Sequence, residues 1–333
     1  METLRPDVAI VGAGLIGTSI AWRLSQAGAQ VTLFDAGRLG GEASSAGAGM
    51  LSPGGEFDRP SVWLDLGVEG MRLYPTFVDE LRSDTNLAID FRICGCVQLV
   101  TSEEEHSQAR SRAEFQSRAG VQVESTSEGL FYPEDGFVDP NDLLRALRCA
   151  CEARKVRILE GHAVRELESD DYRAVVIAAG AWSGQIRVSY KKQPVMLPGT
   201  IPIKGHLIGF QLEPGTLGPM RRHGHTYVLQ RSNGLTIAGS SEEQAGFDRN
   251  VDQAVCAGIH QRAALLFPAL QHATPAMSWF GFRPYAGSAG PHIVPVPETN
   301  VWLAYGHYRN GILLAPLTAQ RVADGILRSP VAG

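Results

Sequence analysis

The sequence predicts an α/β fold. A Rossmann-type dinucleotide-binding domain is assembled from discontinuous pieces and carries an inserted, mainly antiparallel β substrate domain. Three observations predict it. A strand–glycine turn–helix–strand unit fills the extreme N-terminus. Buried-type strand patterns return in the middle and near the end of the chain. Alternating runs with hairpin signals occupy the two gaps. The expected division is 1–82, 139–188 and 281–333 for the nucleotide-binding domain, and 83–138 and 189–280 for the substrate-binding domain.

The elements follow in order. Residues 7–11 read D-V-A-I-V, a short β-branched run suited to a parallel strand. After Gly12, Gly14 and Gly17, residues 18–27 have helical spacing, with Gly28 as stop signal. Val31–Phe34 is a second strand closed by Asp35. Residues 39–55 are rich in Gly, Ala and Ser, yet Met50 and Leu51 argue for a packed loop. Residues 63–81 and 103–118 read as helices, and 91–101 as one strand. Asp139 caps a helix over 139–154, with Pro140 in its first turn. Strands are expected at 156–159, 174–178, 203–212, 227–231, 235–239 and 301–305, with Ser232, Asn233 and Gly234 as a hairpin turn. Helices are expected at about 251–267 and at 311–327.

Composition narrows the function classes. The chain has 333 residues, 44% hydrophobic and 20% charged, the profile of an ordinary globular protein. A net charge of −5 without like-charge blocks disfavours nucleic acid. No apolar run reaches the ~18 residues of a membrane span, and residues 1–6 lack a leader pattern. The five cysteines, Cys94, Cys96, Cys149, Cys151 and Cys256, are odd in number and fit free thiols in a reducing compartment. A cytoplasmic enzyme is the resulting expectation.

The G-x-G-x-x-G of Gly12, Gly14 and Gly17 stands between a strand and a helix, the context that gives it meaning. Gly12 permits the tight turn, Gly14 lets a pyrophosphate sit against backbone at the helix N-terminus, and Gly17 allows close helix–strand packing. Asp35 offers a carboxylate to ribose hydroxyls. This motif alone does not separate NAD from FAD. No second copy is present, which disfavours a separate nicotinamide domain.

Further motifs carry a resemblance. Residues 40–51 (G-G-E-A-S-S-A-G-A-G-M-L), 175–183 (V-V-I-A-A-G-A-W-S), 281–284 (G-F-R-P) and 306–316 (G-H-Y-R-N-G-I-L-L-A-P) occur in the order seen in the FAD-dependent D-amino acid oxidase superfamily. The last is similar to the signature of the glycine oxidase branch. The resemblance spans residues 7 to about 320 and implies non-covalent FAD. It implies that Leu15, Ile16, Asp35 and Ala36 lie on the adenosine and pyrophosphate side. Ala43, Ser44, Ala48, Gly49 and Met50 would hold the ribityl chain and flavin by backbone, and Val164 would meet the adenine. Gly180 would lie in the second strand-plus-turn at the cofactor. His307, Tyr308, Arg309, Asn310, Gly311, Ile312 and Leu313 would wrap the flavin pyrimidine edge. Gly311 is expected to open the last helix, aiming its N–H groups at charge on the reduced flavin.

Arg283 is the main substrate candidate, because a guanidinium fork grips a carboxylate through two parallel bonds. Tyr227 matches a hydroxyl that assists in the glycine oxidase branch, and Arg309 matches an arginine near substrate and flavin. The implied reaction is oxidative deamination of glycine, sarcosine or a small D-amino acid. Hydride passes to flavin N5, and dioxygen is the acceptor, giving hydrogen peroxide, an imino acid that hydrolyses to a 2-oxo acid, and ammonia. Alternatives are a dehydrogenase passing electrons to a quinone or carrier protein, an NAD-dependent dehydrogenase, and a non-enzymatic flavoprotein. The expected partners are a small amino acid or amine and dioxygen, with no nucleic acid and no membrane; the branch admits a homo-oligomer. No metal site is expected. His206, His223 and His225 read as surface or hairpin residues and His292 as a loop residue. Two departures from the family pattern stand out. The chain runs from Val164 through Glu168 and Asp171 straight into the next strand, without the family's longer β-excursion. Glu242 stands where the branch can have an apolar pocket residue, and would face either a basic substrate group or solvent.

Overall fold

The computed structural model of the chain describes residues 7–55 and 61–328. Residues 1–6, which bear on the leader expectation, lie outside the described residues.

Val8–Val11 is buried along its length and is flanked in parallel register by Val31–Phe34 and Ala174–Ile177. A strand with both faces covered must be apolar throughout, as this run is. The full six-stranded order is His292–Pro295, Val301–Tyr305, Ala174–Ile177, Val8–Val11, Val31–Phe34, Arg157–Leu159; only the first of these is antiparallel to its neighbour. Helices Leu15–Gln26, Val62–Thr85, Pro140–Ala153 and Ala315–Arg328 bury their apolar stripes on one face, around Trp22, Tyr74, Phe77 and Leu147. The other face is covered by Glu166–Glu168, Arg187–Tyr190 and Gln193–Val195, a small sheet packed through Val188 and Ile186. Glu166–Glu168 pairs in parallel with Arg187–Tyr190, a segment that follows the second signature.

The second large sheet has eight strands, built on Met277–Tyr285, Ile201–Gln211, Leu235–Gly239 and Thr226–Gln230 in antiparallel order. The hairpin turn falls at residues 232–234 as expected, with Arg231 N donating to Leu235 O. Helix Gln253–Leu266 covers the outer face through Ile259, Ala263 and Leu266. Met277–Tyr285 is one continuous strand, and the expected boundary at 281 falls inside it.

Four expectations are corrected. The first helix begins at Leu15 rather than at 18, because extended Gly14 is the residue preceding its first turn. The expected strand 91–101 is two strands, Phe91–Ile93 and Cys96–Leu99, since Gly95 (φ 75°) turns the chain into the other sheet. The last helix begins at Ala315 rather than at Gly311. His292 opens a strand rather than lying in a loop.

Candidate active site

Between the two large sheets lies a cavity of about 1060 Å³. That is at the upper end for small-molecule pockets, and far larger than an amino acid needs. Its lining comes from the glycine turn, the loop after Asp35, the second signature, the arginine strand and the turn before the last helix.

Gly12 adopts φ +108°, and a Cβ there would stand 2.4 Å from Ala178 O, so no other residue fits the turn. Gly14 leaves the helix N-terminus open, with only Ser44 Oγ at 3.1 Å from where a Cβ would be. No acidic residue stands in the helix's first turn, and Leu15 N donates to Ser44 Oγ at 2.8 Å. Asp35 accepts from Ala13 N at 2.7 Å through one oxygen and from Gly37 N at 2.8 Å through the other. Each carboxylate oxygen still has a lone pair for a ribose hydroxyl. An open glycine cradle, a helix N-terminus and a fixed carboxylate are what a dinucleotide requires, and these residues fit FAD.

Ala36, Ile16, Ala43, Ala48, Gly49, Met50, Val164, Gly180 and residues 307–313 also line the cavity, as do Tyr227 and Arg283. Gly17 is the exception among the expected cofactor residues. A Cβ there would lie 1.9 Å from Gly12 O, so its bareness serves helix–strand packing rather than a ligand. The expected helix N-terminus at Gly311 takes another form. Leu314 N donates to Asn310 O at 2.9 Å, making Gly311, Ile312 and Leu313 a helical turn ahead of the helix proper, whose N–H groups have no partner within the turn.

Arg283 lies on Met277–Tyr285 opposite Ile203 of Ile201–Gln211. Its guanidinium lies over Gly205, where a Cβ would stand 2.3 Å from both terminal nitrogens. Two residues earlier, Gly281 lets the strand approach the flavin-type loop, since a Cβ there would lie 2.7 Å from Ala46 Cβ. Arg283 Nη1 donates to Ser241 O at 3.0 Å and Nη2 to Ser240 Oγ at 2.8 Å. Burial, and then the charge of Arg309, lower its pKa, while Tyr227, Tyr308 and Glu242 act the other way. Tyr227 packs its ring against Gly239, its register partner.

Residues 240–252 form a strap beside this end of the cavity. Two buried side chains of Ile201–Gln211 pin it. Lys204 Nζ donates to Asp248 Oδ2 and to Asn250 O, each at 2.6 Å. His206 meets Glu243 Oε1 at 2.8 Å through Nδ1, and its Nε2 accepts from Asp252 N at 3.0 Å. His206 is therefore a buried strut, not a surface residue, whereas His223, half-exposed, ends the strand Met220–His223 against Glu105. Phe247 of the strap stacks on Trp182 with ring centroids 4.7 Å apart, and Arg249 pairs with Glu42 at 2.6 Å. Glu242 takes neither of its expected roles alone. Its carboxylate lies 3.8 Å from Arg309 Nη1, accepts a hydrogen bond from Tyr308, and is 47% exposed.

Ser240, Arg249 and Gly205 also line the cavity though sequence reasoning did not single them out, and Trp182 and Glu42 line it from within quoted motifs that gave them no role of their own. The A-W-S of residues 181–183 was a usable signal for Trp182. Ser240 and Arg249 carry none, because only the fold brings them to the cavity. Among the described residues, no cluster of His, Cys, Asp or Glu could hold a metal ion, and no helix is long and apolar enough to cross a membrane.

A family model for FAD dependent oxidoreductases matches residues 7–325. The chain is 31% identical to the glycine oxidase of Geobacillus kaustophilus, over 99% of this chain and 95% of that one. It is 32% identical to the bifunctional protein ThiO/ThiG of Synechocystis sp., over 98% of this chain and 52% of that protein. The crystal structure of glycine oxidase from Geobacillus kaustophilus superposes with a TM-score of 0.89, at 31% identity, covering 98% of this chain and 95% of that one.

Proposed function

The chain belongs to the FAD-dependent oxidoreductase family, and from that premise we propose that it carries out oxidative deamination of glycine, sarcosine or a small D-amino acid. Dioxygen is the proposed acceptor. One amino acid, one dioxygen and one water give a 2-oxo acid, ammonia (methylamine where the substrate is sarcosine) and hydrogen peroxide. The observation that carries the reading is Arg283, a guanidinium inside a dinucleotide-sized cavity that continues to the glycine turn. An amino acid always brings a carboxylate, and a fork of parallel donors fixes its orientation as well as its place.

FAD, when bound, supplies the two-electron oxidising power. The protein's own tasks are binding and orientation. Ser240 and Ser241 hold Arg283 in place, so its fork is set before substrate arrives. Tyr227 offers its hydroxyl to the same carboxylate. Trp182 and Phe282 line the cavity and are backed by Phe247, an apolar wall that would keep water from the amine end. The amides of residues 311–313 would face charge that develops on the cofactor's pyrimidine edge. No protein acid or base is required if the amine binds neutral. The division into a cofactor domain and a substrate domain, with Asp35 and Val164 at the adenosine end, belongs to the same proposal.

The test is anaerobic mixing of the holoenzyme with glycine, sarcosine and D- and L-amino acids, following the flavin absorbance. Bleaching by glycine, sarcosine or small D-amino acids, with colour and peroxide returning in air, is expected. Bleaching without peroxide in air would replace the oxidase with a dehydrogenase. A flavin that none of these compounds reduces would overturn the substrate class.

A further inference from the structure

We propose that the ion pair between Arg249 and Glu42 is a latch across the mouth of the cavity, which an incoming carboxylate must part on its way to Arg283. The inference rests on the amino acid reading above for what passes, and it adds the route. Both residues line the cavity, yet their side chains are 60% and 43% exposed, so they stand where the cavity meets solvent. They come from different walls. Glu42 directly precedes Ala43 of the flavin-type loop, and Arg249 belongs to the strap anchored on the eight-stranded sheet. Arg249 Nη2 donates to Glu42 Oε1 at 2.6 Å and so ties strap to loop. The backbone on either side of Arg249 is fixed from below. Buried Lys204 donates to Asp248 Oδ2 and to Asn250 O, each at 2.6 Å. A clamp on both neighbours holds the Arg249 backbone and leaves its side chain to move. The guanidinium carbon lies 5.7 Å from the centroid of the Phe282 ring, which lines the cavity and directly precedes Arg283. The latch therefore sits over the approach to the carboxylate site. An ion pair this exposed is weak, and exposed side chains change rotamer rapidly, so the latch opens often and closes over an empty or a filled cavity alike.

Binding kinetics of acetate, an unreactive carboxylate, test this on the oxidised holoenzyme, read as temperature-jump relaxation of the flavin absorbance. The double variant Glu42→Gln with Arg249→Gln removes the latch and keeps the net charge. We expect its association and dissociation rate constants to rise together about fivefold, equivalent to about 1 kcal/mol of closure, with Kd within about twofold. The swapped pair, Glu42→Arg with Arg249→Glu, should restore the slow rates. Raised salt should speed dissociation from the wild type and leave the double Gln variant unmoved, because the pair is exposed. Rate constants unchanged in the double Gln variant overturn the latch and leave the amino acid reading standing. A weaker Kd at an unchanged association rate also overturns it, since one of the two residues would then touch the ligand. If acetate does not perturb the wild-type flavin, the carboxylate site itself is lost and both readings fall.

Discussion

Arg283 owes its position to two absent side chains. Gly205 provides the floor on which the guanidinium lies, and Gly281, directly across the strand pair, lets the arginine strand close on Ala46. In Gly205→Ala the new methyl would collide with the far end of a flexible side chain rather than with backbone. The collision is relieved by moving the guanidinium, so the chain should fold normally while the fork leaves its place. We expect KM for the amino acid to rise about tenfold with little change in Tm. Arg283→Ala, which removes the fork outright, should raise KM about a hundredfold, equivalent to about 2.7 kcal/mol of charge-assisted bonding, with flavin retained. Steady-state kinetics beside a flavin absorbance spectrum checks both. Near-normal KM in Arg283→Ala would remove the residue from the substrate site.

The turn into the last helix is held by His307, whose ring is 2% exposed and places Nε2 2.9 Å from Thr318 Oγ1. Burial, aided by the neighbouring His292, pushes its pKa down to about 3, against about 6.5 in an unfolded chain. The sign follows. Between these values the unfolded chain binds a proton that the folded chain refuses, so the contribution is complete above about pH 6.5 and is lost as pH falls toward 3. The wild type should lose up to about 1.4 kcal/mol per pH unit from this group in that window. His307→Gln, which has no proton to gain, should show a flatter acid limb in Tm against pH; equal slopes would rule the residue out. Elements of this kind were only partly legible in the sequence. Val31–Phe34, Glu103–Arg118, Leu235–Gly239 and Val301–Tyr305 match their expected bounds, because the short apolar runs of the strands, their turn residues and the polar, helix-favouring run of Glu103–Arg118 are local signals. The break at Gly95 and the strand at His292 were not legible, since each depends on a distant partner that supplies the hydrogen bonds. The same division holds for the site. The glycine turn and Asp35 lie within one strand–helix–strand unit, and Arg283 was recovered through its motif. Ser240 and Arg249 reach the cavity on a strap held by struts from Lys204 and His206, and His206 was read as a surface or hairpin residue because nothing local announces a buried strut.

At the scale of the molecule, the cavity joins two sheets that share few covalent crossings. The six-stranded sheet contributes the glycine turn and Asp35, while the eight-stranded sheet contributes Tyr227 and Arg283. A cofactor filling this space touches both and binds the unfolded chain at neither. FAD should therefore act as a stability ligand for the whole molecule and not for the nucleotide-binding part alone. Binding of this kind stabilises by about 2.7 kcal/mol at a hundredfold excess over Kd. For a chain of this size that corresponds to a Tm shift of several degrees. We expect the deflavinated protein to unfold at least that much lower, and added FAD to restore the transition. If the two sheets are coupled through the cofactor, intrinsic tryptophan fluorescence and far-ultraviolet circular dichroism should give one transition in the holoenzyme and separate on removing FAD. Trp279, on the arginine strand, donates from Nε1 to Ala46 O of the flavin-type loop at 2.9 Å and so reports the junction directly. Coincident, unshifted transitions with and without FAD would mean that the direct contacts between the sheets already bind them, and that the cofactor adds chemistry without adding cohesion.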